Sequence, residues 1–137
     1  MAKELFILRS VPGAGKSTIA ELIVGSAGIV CTADEYFIDE NGTYNFNANK
    51  LGEAHQYCLE KCRAYMELDF SLSKIVIANT NTAPSEYKKY EDLAKIHGFR
   101  VHHLIVENRH DGENTHNVPE ESLKKMESRL RQNIKLR

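Results

Sequence analysis

The chain has 137 residues, of which 42% are hydrophobic and 27% are charged. This length and composition predict one globular domain, 1–137, with a single hydrophobic core, and exclude a disordered or fibrous chain. The formal net charge of −1 provides no overall positive field for nucleic acid or an anionic membrane, so a polyanion would need a local group of cations.

The first residues carry no secretory or membrane signal. Their apolar run, LFIL, is interrupted by Arg9, and it is too short for a signal peptide or a transmembrane helix. Three cysteines are an odd number, without the spacing of a secreted disulfide framework. We therefore expect a cytoplasmic protein with no membrane partner.

The first half of the chain alternates predicted strands and helices. An apolar strand at 4–9 leads into a glycine-rich segment, and a helix follows from Lys16 to Gly25. A second strand is predicted at 28–34, then a turn-rich aromatic stretch at 35–49 and a long helix at about 50–69. The residues expected to face inward are Ile19, Ala20, Leu22 and Ile23 in the first helix, and Leu51, Ala54, Cys58, Cys62, Tyr65 and Met66 in the second.

The second half continues the alternation. A third strand, KIVIANTN, ends in a polar loop, and Pro84 opens a helix that Gly98 ends. A fourth strand at 99–107 and a polar loop precede a last helix from Pro119. Its predicted inward residues are Leu123, Met126, Leu130 and Ile134. The alternation predicts an α/β fold: one doubly wound domain with a mostly parallel sheet of four to five strands and helices on both faces.

The segment RSVPGAGKST at 9–18 has the composition of a phosphate-binding P-loop (Walker A). Its glycines allow backbone N–H groups to surround an anion, and the following helix adds free N–H groups and its positive dipole end. The lysine supplies a charge to the outer phosphates, the serine after it is expected to bind Mg²⁺, and the threonine reaches the innermost phosphate. The predicted nucleotide-binding residues here are Pro12, Gly13, Ala14, Gly15, Lys16, Ser17 and Thr18.

Ser10 stands where the usual P-loop pattern begins with glycine. Because serine is small, we expect it to make the exit from the strand with modest strain. A strand before the segment and a helix after it are the structural context that this motif requires. The sequence therefore predicts a P-loop nucleotide-binding site despite the departure at Ser10.

Five segments follow one another along the chain: PGAGKST, TADEYF, ANTNTAPSEYKKY, HGFRV and ENRH…HNVPEESLKKM. Together they resemble the 5′-hydroxyl polynucleotide kinase-like P-loop kinases of phages, bacteria and eukaryotes, over nearly the whole chain. The resemblance implies transfer of the γ-phosphoryl group of ATP, bound with Mg²⁺, to a hydroxyl acceptor. The acceptor that it favours is the 5′ end of a polynucleotide.

In TADEYF, Asp34 matches the residue that serves this family as general base. A carboxylate beyond the carboxyl end of a strand lies where open α/β sheets bind ligands. It could accept the proton of the attacking hydroxyl or hold Mg²⁺ through water. Glu35 is the alternative carboxylate, and a turn-capping role is the alternative for Asp34.

In ANTN, the side chains of Asn79, Thr80 and Asn81 match a polar cluster that positions the substrate or the catalytic Asp. Relatives commonly carry an acidic residue in this segment, where this chain has Ala78 and Asn79. The departure leaves Ser17 and Asp34 as the expected metal ligands.

The loop at about 108–118 resembles the lid of these kinases, whose arginines close over the phosphates. Arg109 matches the first lid arginine, and Glu113 stands where some relatives have a second one. His110 and His116 flank Arg109 and could contact nucleotide. A single lid arginine is still a large electrostatic contribution to phosphoryl transfer.

The sequence leaves two other functions open: a nucleotide-binding module that hydrolyses ATP slowly for a partner, and a kinase of a nucleoside or another small metabolite. The change at Ala78 and the single lid arginine favour the first. The aromatic stretches DEYF and NGTYNF beside the expected acceptor site could stack a base or only pack onto the sheet. No residue identifies adenine or the oligomeric state.

Overall fold

The computed structural model describes residues 2–68, 71–110 and 118–136. Its strands are β1 (Glu4–Arg9), β2 (Gly28–Cys31), β3 (Lys74–Ile77) and β4 (Arg100–Ile105), and its α-helices are α1 (Lys16–Val24), α2 (Leu51–Leu68), α3 (Pro84–His97) and α4 (Glu120–Gln132). Two 3₁₀ helices, Ala33–Phe37 and Ala48–Lys50, lie between β2 and α2. In the described ranges, no helix combines the length and the apolar character needed to cross a membrane.

The four strands form one parallel sheet in the order β2-β3-β1-β4. In β1, Leu5 lies opposite Ile75 of β3 and Val101 of β4, so the apolar residues of neighbouring strands are in register. The predicted α/β fold with a parallel sheet is confirmed, and the sheet has four strands in the described ranges.

Two apolar clusters cover the two faces of the sheet. Leu5 and Ile7 of β1 pack with buried residues of α2 and α3 on one face. Leu8 packs with Ala20 and Val24 of α1 on the other. The neighbouring strands β1 and β3 are thus followed by helices on opposite faces, which opens a crevice at their carboxyl ends.

Local sequence signals set the ends of α3. Pro84 is at the first helical position, and the Glu86 carboxylate accepts a hydrogen bond from the Ala83 N–H at 2.9 Å. Gly98, with φ 74°, ends the helix, and the Phe99 N–H donates back to the Ala94 carbonyl at 2.8 Å. These are the start and stop signals by which the sequence predicted this helix.

Three predicted core positions are wrong. Leu22 is 76% exposed, Leu51 41% and Ile134 49%. Leu22 lies two residues from both Ala20 and Val24, about 200° around the helix, so the face that packs on the sheet excludes it. In α4, no side chain is fully buried in the described part of the chain, and its apolar residues Leu123, Met126 and Leu130 are half-buried.

The stretch between β2 and α2 is held by one carboxylate. Asp39 accepts hydrogen bonds from the backbone of Asn41 and Thr43, each at 2.9 Å, and from the Asn45 amide at 2.9 Å. The turn brings Ile38 opposite Tyr44 in an antiparallel bridge. The predicted turn-rich stretch therefore has a defined path, which places its aromatic rings.

Candidate functional site

The phosphate loop, residues 10–17, connects the carboxyl end of β1 to the start of α1. Gly13 and Gly15 have φ values of 86° and 96°, in the left-handed region that favours glycine. Gly15 is the N-cap of α1, and no side chain of the described residues caps this helix. The first N–H groups of α1 thus remain available to an anion, as the sequence predicted.

Ser10 does not need the freedom of glycine. Among the described residues other than glycine, only Asn81 has a positive φ. Ser10 therefore has a negative φ, a backbone conformation that any residue can adopt. Its side chain is fully buried, and its hydroxyl donates to the Val11 carbonyl at 2.9 Å. The Ser10 N–H donates to the Thr80 carbonyl at 2.9 Å, which joins the start of the loop to the end of β3.

The Lys16 side chain is half-buried at the start of α1. Burial lowers the pKa of Lys16, and the Asp34 carboxylate opposes this shift by raising it. Ser17 and Thr18 are exposed in the first turn of α1, and Pro12 and Gly13 are half-buried beside the buried Ala14.

Asp34 lies in the first 3₁₀ helix rather than at the end of a strand, three residues beyond the last residue of β2. The Thr32 hydroxyl caps this helix by accepting from the Asp34 N–H at 3.2 Å. The Tyr44 hydroxyl donates to Asp34 Oδ1 at 3.4 Å. Burial, followed by the Asp34 charge, raises the pKa of Tyr44 to about 12, so Tyr44 remains a proton donor to this carboxylate at neutral pH.

Glu35, the alternative carboxylate, has a different environment. Its Oε2 lies 2.6 Å from the Lys61 ammonium of α2, which also donates to the Val30 carbonyl at 3.3 Å. Neighbouring residues of a 3₁₀ helix point about 120° apart. The geometry therefore separates the two: Glu35 pairs with Lys61 of α2, and Asp34 accepts a hydrogen bond from Tyr44.

Asn79 holds the segment that carries Asp34. Its Oδ1 accepts from the Ala33 N–H at 2.8 Å, and its Nδ2 donates to Cys58 Sγ at 3.6 Å. The residue is 9% exposed. Of the two roles that the resemblance implied, positioning Asp34 is supported by these contacts, and the predicted contact of Asn79 with nucleotide is not.

Thr80 and Asn81 also contact the protein itself. Asn81 is 1% exposed, and its Nδ2 donates to the Leu8 carbonyl at 2.8 Å and the Asn79 carbonyl at 3.3 Å. The Thr80 hydroxyl donates to Glu86 at 3.3 Å. These hydrogen bonds join the ends of β1 and β3 and do not support the predicted nucleotide contacts of the two side chains.

Ala78 takes the place next to the loop where the resembling kinases commonly have an acidic residue. It is 8% exposed and packs with Ala20 and Val24 of α1. The methyl group thus belongs to the apolar cluster under the phosphate loop. A carboxylate for a metal is absent from this position.

Arg9, the last residue of β1, was missed as a site residue by the sequence analysis. It is 5% exposed; its Nε donates to the Asn81 carbonyl and its Nη2 to the Asn133 carbonyl, each at 2.9 Å. Its guanidinium carbon lies 4.6 Å from the centroid of the Tyr87 ring. A buried cation requires such partners, and here they fix the strand end from which the loop starts. The sequence feature that could have indicated this role is the charged residue at the end of an apolar strand.

The predicted lid is described only at its two ends. Arg109 is exposed and forms an ion pair with Glu107. A Cβ atom added to Gly15 would lie 3.7 Å from Cε1 of His110, so this imidazole lies against the phosphate loop. Glu113 and His116 lie outside the described residues.

The residues at the loop fit a nucleotide better than a resident metal. The uncapped helix start and Lys16 suit a chain of phosphates. Among the described residues, no cluster of three or more His, Cys, Asp or Glu side chains could hold a metal ion. Mg²⁺ in nucleotide sites is held largely by phosphates and water, which requires little more than the oxygens of Ser17 and Asp34.

The fold is defined by the parallel sheet with β1 as an inner strand, the loop at the end of β1 and Lys16 at the start of α1. Solved structures with this fold are similar to the chain. A chain of the Pnkp1/Rnl/Hen1 RNA repair complex has a TM-score of 0.70 at 14% identity, over 96% of this chain and 45% of that one. The APS kinase CysC of Mycobacterium tuberculosis has a TM-score of 0.54 at 12% identity, over 95% and 98%.

Sequence comparison adds one relative of much greater length. The human NEDD4-binding protein 2 is 36% identical over 99 residues, which are 71% of this chain and 5% of that protein. No family model matches the chain. The comparisons therefore show that the chain shares its fold with these proteins and leave its activity and acceptor undetermined.

Proposed function

We propose that the chain is an ATP-dependent phosphotransferase that transfers the γ-phosphoryl group to a hydroxyl, with the 5′-hydroxyl end of a nucleic acid as acceptor. One observation carries the proposal: the loop after β1 leads into the uncapped start of α1, which Lys16 opens, and Asn79, just beyond the neighbouring β3, holds the 3₁₀ helix of Asp34. A cation for phosphate and a carboxylate for a hydroxyl proton thus belong to the same edge of the sheet. The matching kinase folds, one of them in an RNA repair complex, support it.

On the nucleotide side, the amides of the phosphate loop and of the first turn of α1 bind the phosphate oxygens. Lys16 contributes its charge to the outer phosphates, and Ser17 and Thr18 contribute hydroxyls. ATP with Mg²⁺ supplies the phosphoryl group and neutralises part of its charge. The Ser17 hydroxyl would hold this metal directly, and the Asp34 carboxylate would reach it only through a bound water.

On the acceptor side, Asp34 accepts the proton of the attacking hydroxyl. The oxygen of that hydroxyl bonds to the γ-phosphorus while the bond between the γ-phosphorus and ADP breaks. The Tyr44 hydroxyl donates to Oδ1 of this carboxylate and so orients it. Asn79 fixes the start of the 3₁₀ helix that carries it. Arg109, next to His110, would leave its ion pair with Glu107 and bind the transferring phosphoryl group instead.

Three observations favour other functions. Ala78 leaves no carboxylate beside α1, and Arg109 is paired with Glu107, as in a nucleotide-binding module that serves a partner and hydrolyses ATP slowly. The structure of the APS kinase CysC in complex with AMPPNP and APS shares the fold of this chain. Its TM-score is 0.53 at 13% identity, over 90% of this chain. A small-molecule acceptor is therefore the third candidate.

The domain and the cellular location remain predictions. Residues 1–137 would act as one nucleotide-binding domain with a lid at about 108–118. Cys31, Cys58 and Cys62 are buried free thiols, which is typical of a reducing compartment such as the cytoplasm.

Asp34→Asn tests the proposal. The amide keeps the shape but cannot take a proton, so we expect single-turnover transfer to fall about 10²- to 10⁴-fold while the affinity for ATP changes less than about threefold. Glu35→Gln is the matched control, because its carboxylate pairs with Lys61, and it should keep most of the transfer rate. Unchanged transfer by Asp34→Asn would remove this residue from the mechanism. A parallel loss of Mg²⁺-dependent ATP affinity would make it a metal ligand instead.

A further inference from the structure

We infer that an exposed aromatic cluster next to Asp34 is a stacking surface for the unpaired base at a 5′-hydroxyl nucleic-acid end. We call Tyr36, Phe46 and Tyr57 the aromatic platform. The inference rests on the proposed function for the role of Asp34, and it concerns what binds beside that residue.

The platform brings exposed rings from three segments together. The exposed fractions are 53% for Phe46, 42% for Tyr57 and 37% for Tyr36. Tyr36 lies 5.8 Å from Tyr57, and the buried Phe37 contacts Tyr36 at 5.6 Å and Phe46 at 5.1 Å between ring centroids. Single exposed apolar residues are ordinary, but a contiguous aromatic cluster indicates a binding surface.

The rings are held in place from behind. The Tyr36 hydroxyl donates to Glu53 at 2.6 Å. Phe46 stacks on Tyr44 with an interplanar angle of 17° and a centroid distance of 6.5 Å. Rigid aromatic rings lose little conformational entropy when they bind a flat ligand.

The platform is continuous with the proposed catalytic carboxylate. Tyr36 lies in the same 3₁₀ helix as Asp34, two residues further on, and points about 120° away from it, so the connection runs through Tyr44. Tyr44, which stacks on Phe46, donates to Asp34 Oδ1 at 3.4 Å. A terminal nucleoside carries its 5′-hydroxyl on the sugar attached to the base, so a base on the platform would keep that hydroxyl near Asp34.

The local charge selects the base rather than the phosphate backbone. Residues 33–57 contain five acidic side chains and one lysine: Asp34, Glu35, Asp39, Glu40 and Glu53 against Lys50. Lys61 pairs with Glu35, which leaves an excess of negative charge from the other four. This surface repels phosphates, whereas a neutral base can stack on the aromatic rings, and such stacking depends little on which base it is. The occupant that fits is therefore one unpaired base at the end of a strand, with the phosphates leading away.

The test measures binding without turnover. A single-stranded trinucleotide with a free 5′-hydroxyl and a fluorophore on its 3′ end is titrated against the protein, in parallel with the same molecule lacking the first base and with a blunt duplex. Stacking on one base contributes about 1–3 kcal/mol, so the intact trinucleotide should bind about 5- to 150-fold more tightly than the abasic one. Between 50 and 200 mM salt its affinity should change less than about threefold, because few phosphates are contacted.

Variants assign the effect to the platform. Phe46→Ala and Tyr57→Ala should bring the intact trinucleotide down to the abasic affinity, whereas Tyr57→Phe, which keeps the ring, should retain it. Ile96→Ala, at a residue that is 73% exposed on α3, is the control and should change nothing. Thermal melting and ATP titration should be the same for all four variants.

Equal binding of the intact and abasic molecules would overturn the inference, as would equal losses in Phe46→Ala and Ile96→Ala. Adenosine that binds while the trinucleotide does not would overturn the nucleic-acid end as occupant. Base-dependent binding without any transfer would contradict the proposed function and leave the platform standing. Equal rates of transfer to the intact and the abasic molecule would contradict the platform and leave the proposed function standing.

Discussion

The two sides of the candidate site are built in different ways. The nucleotide side, residues 10–18, is made of backbone: two glycines in the left-handed region and an uncapped helix start. The acceptor side, residues 33–57, depends on side-chain contacts: the Asn79 amide oxygen accepts from the Ala33 N–H across 46 residues, and Tyr44 donates to Asp34 across 10. The backbone of the nucleotide side suits phosphates, whose chemistry is the same in every nucleotide. On the acceptor side, substitution of a few side chains would be enough to change which ligand binds.

The two sides also differ in charge and in apolar contacts. On the nucleotide side, α1 packs on an apolar cluster that includes Ala78, whereas the acceptor side presents carboxylates and aromatic rings to solvent. We therefore expect substitutions on the nucleotide side to change the affinity for ATP, and those on the acceptor side to change transfer and acceptor binding. The following predictions test that separation, from the largest effect to the smallest.

Lys16→Ala should give the largest change on the nucleotide side. A hydrogen bond to a charged group contributes about 1.5–3 kcal/mol, so ATP affinity should fall roughly 10- to 150-fold. AMP affinity should change less than about threefold, because the ammonium serves the outer phosphates. Titration calorimetry with both nucleotides measures the difference. Lys88→Ala, an exposed lysine paired with Asp92, is the control, and equal losses for ATP and AMP would refute the assignment.

Asn79→Ala should affect the acceptor side alone. It leaves the buried Ala33 N–H without its acceptor, which should lower the free energy of unfolding by about 1–3 kcal/mol. Transfer should fall while ATP affinity stays within about threefold. Asn47→Ala removes an exposed cap from the second 3₁₀ helix, so it should lower stability without slowing transfer. Normal transfer by a folded Asn79→Ala variant would show that this residue does not position Asp34.

Ser10→Gly should have the smallest effect. It restores the usual loop opening, and because Ser10 has no positive φ, ATP affinity should stay within about threefold, under about 1 kcal/mol. Gly15→Ala is the contrast: φ there is 96°, so the added methyl strains the loop. A large gain in affinity for Ser10→Gly would mean that serine strains the loop, and a large loss would mean that its hydroxyl contacts the ligand.

The sequence predicted the parts of the molecule that local patterns determine. Alternating apolar runs gave the four strands, Pro84 and Gly98 gave the ends of α3, and the glycines gave the loop, because each signal acts within a few residues. The inward face of α1 was partly wrong because a nine-residue helix of mostly apolar residues leaves Leu22 as apolar as its buried neighbours.

The rest depends on contacts between distant parts of the chain. The strand order places β3 beside β1, and Arg9 reaches Asn133 over 124 residues. No periodicity shows that Asn79 would hold Ala33 rather than a nucleotide, or that Glu35 would pair with Lys61. These pairings separate Asp34 from its neighbour, and they appear only in the folded chain.

The most direct test of the account is transfer by the unmodified protein. It is incubated with γ-labelled ATP, Mg²⁺ and a panel of acceptors: single-stranded oligonucleotides with a 5′-hydroxyl, the same molecules already phosphorylated at the 5′ end, and free nucleosides. The account predicts label on the 5′-hydroxyl oligonucleotides, none on the blocked ones, and loss of that label in Asp34→Asn. Release of labelled phosphate without any labelled acceptor, under conditions in which ATP is bound, would contradict it and favour the nucleotide-binding module.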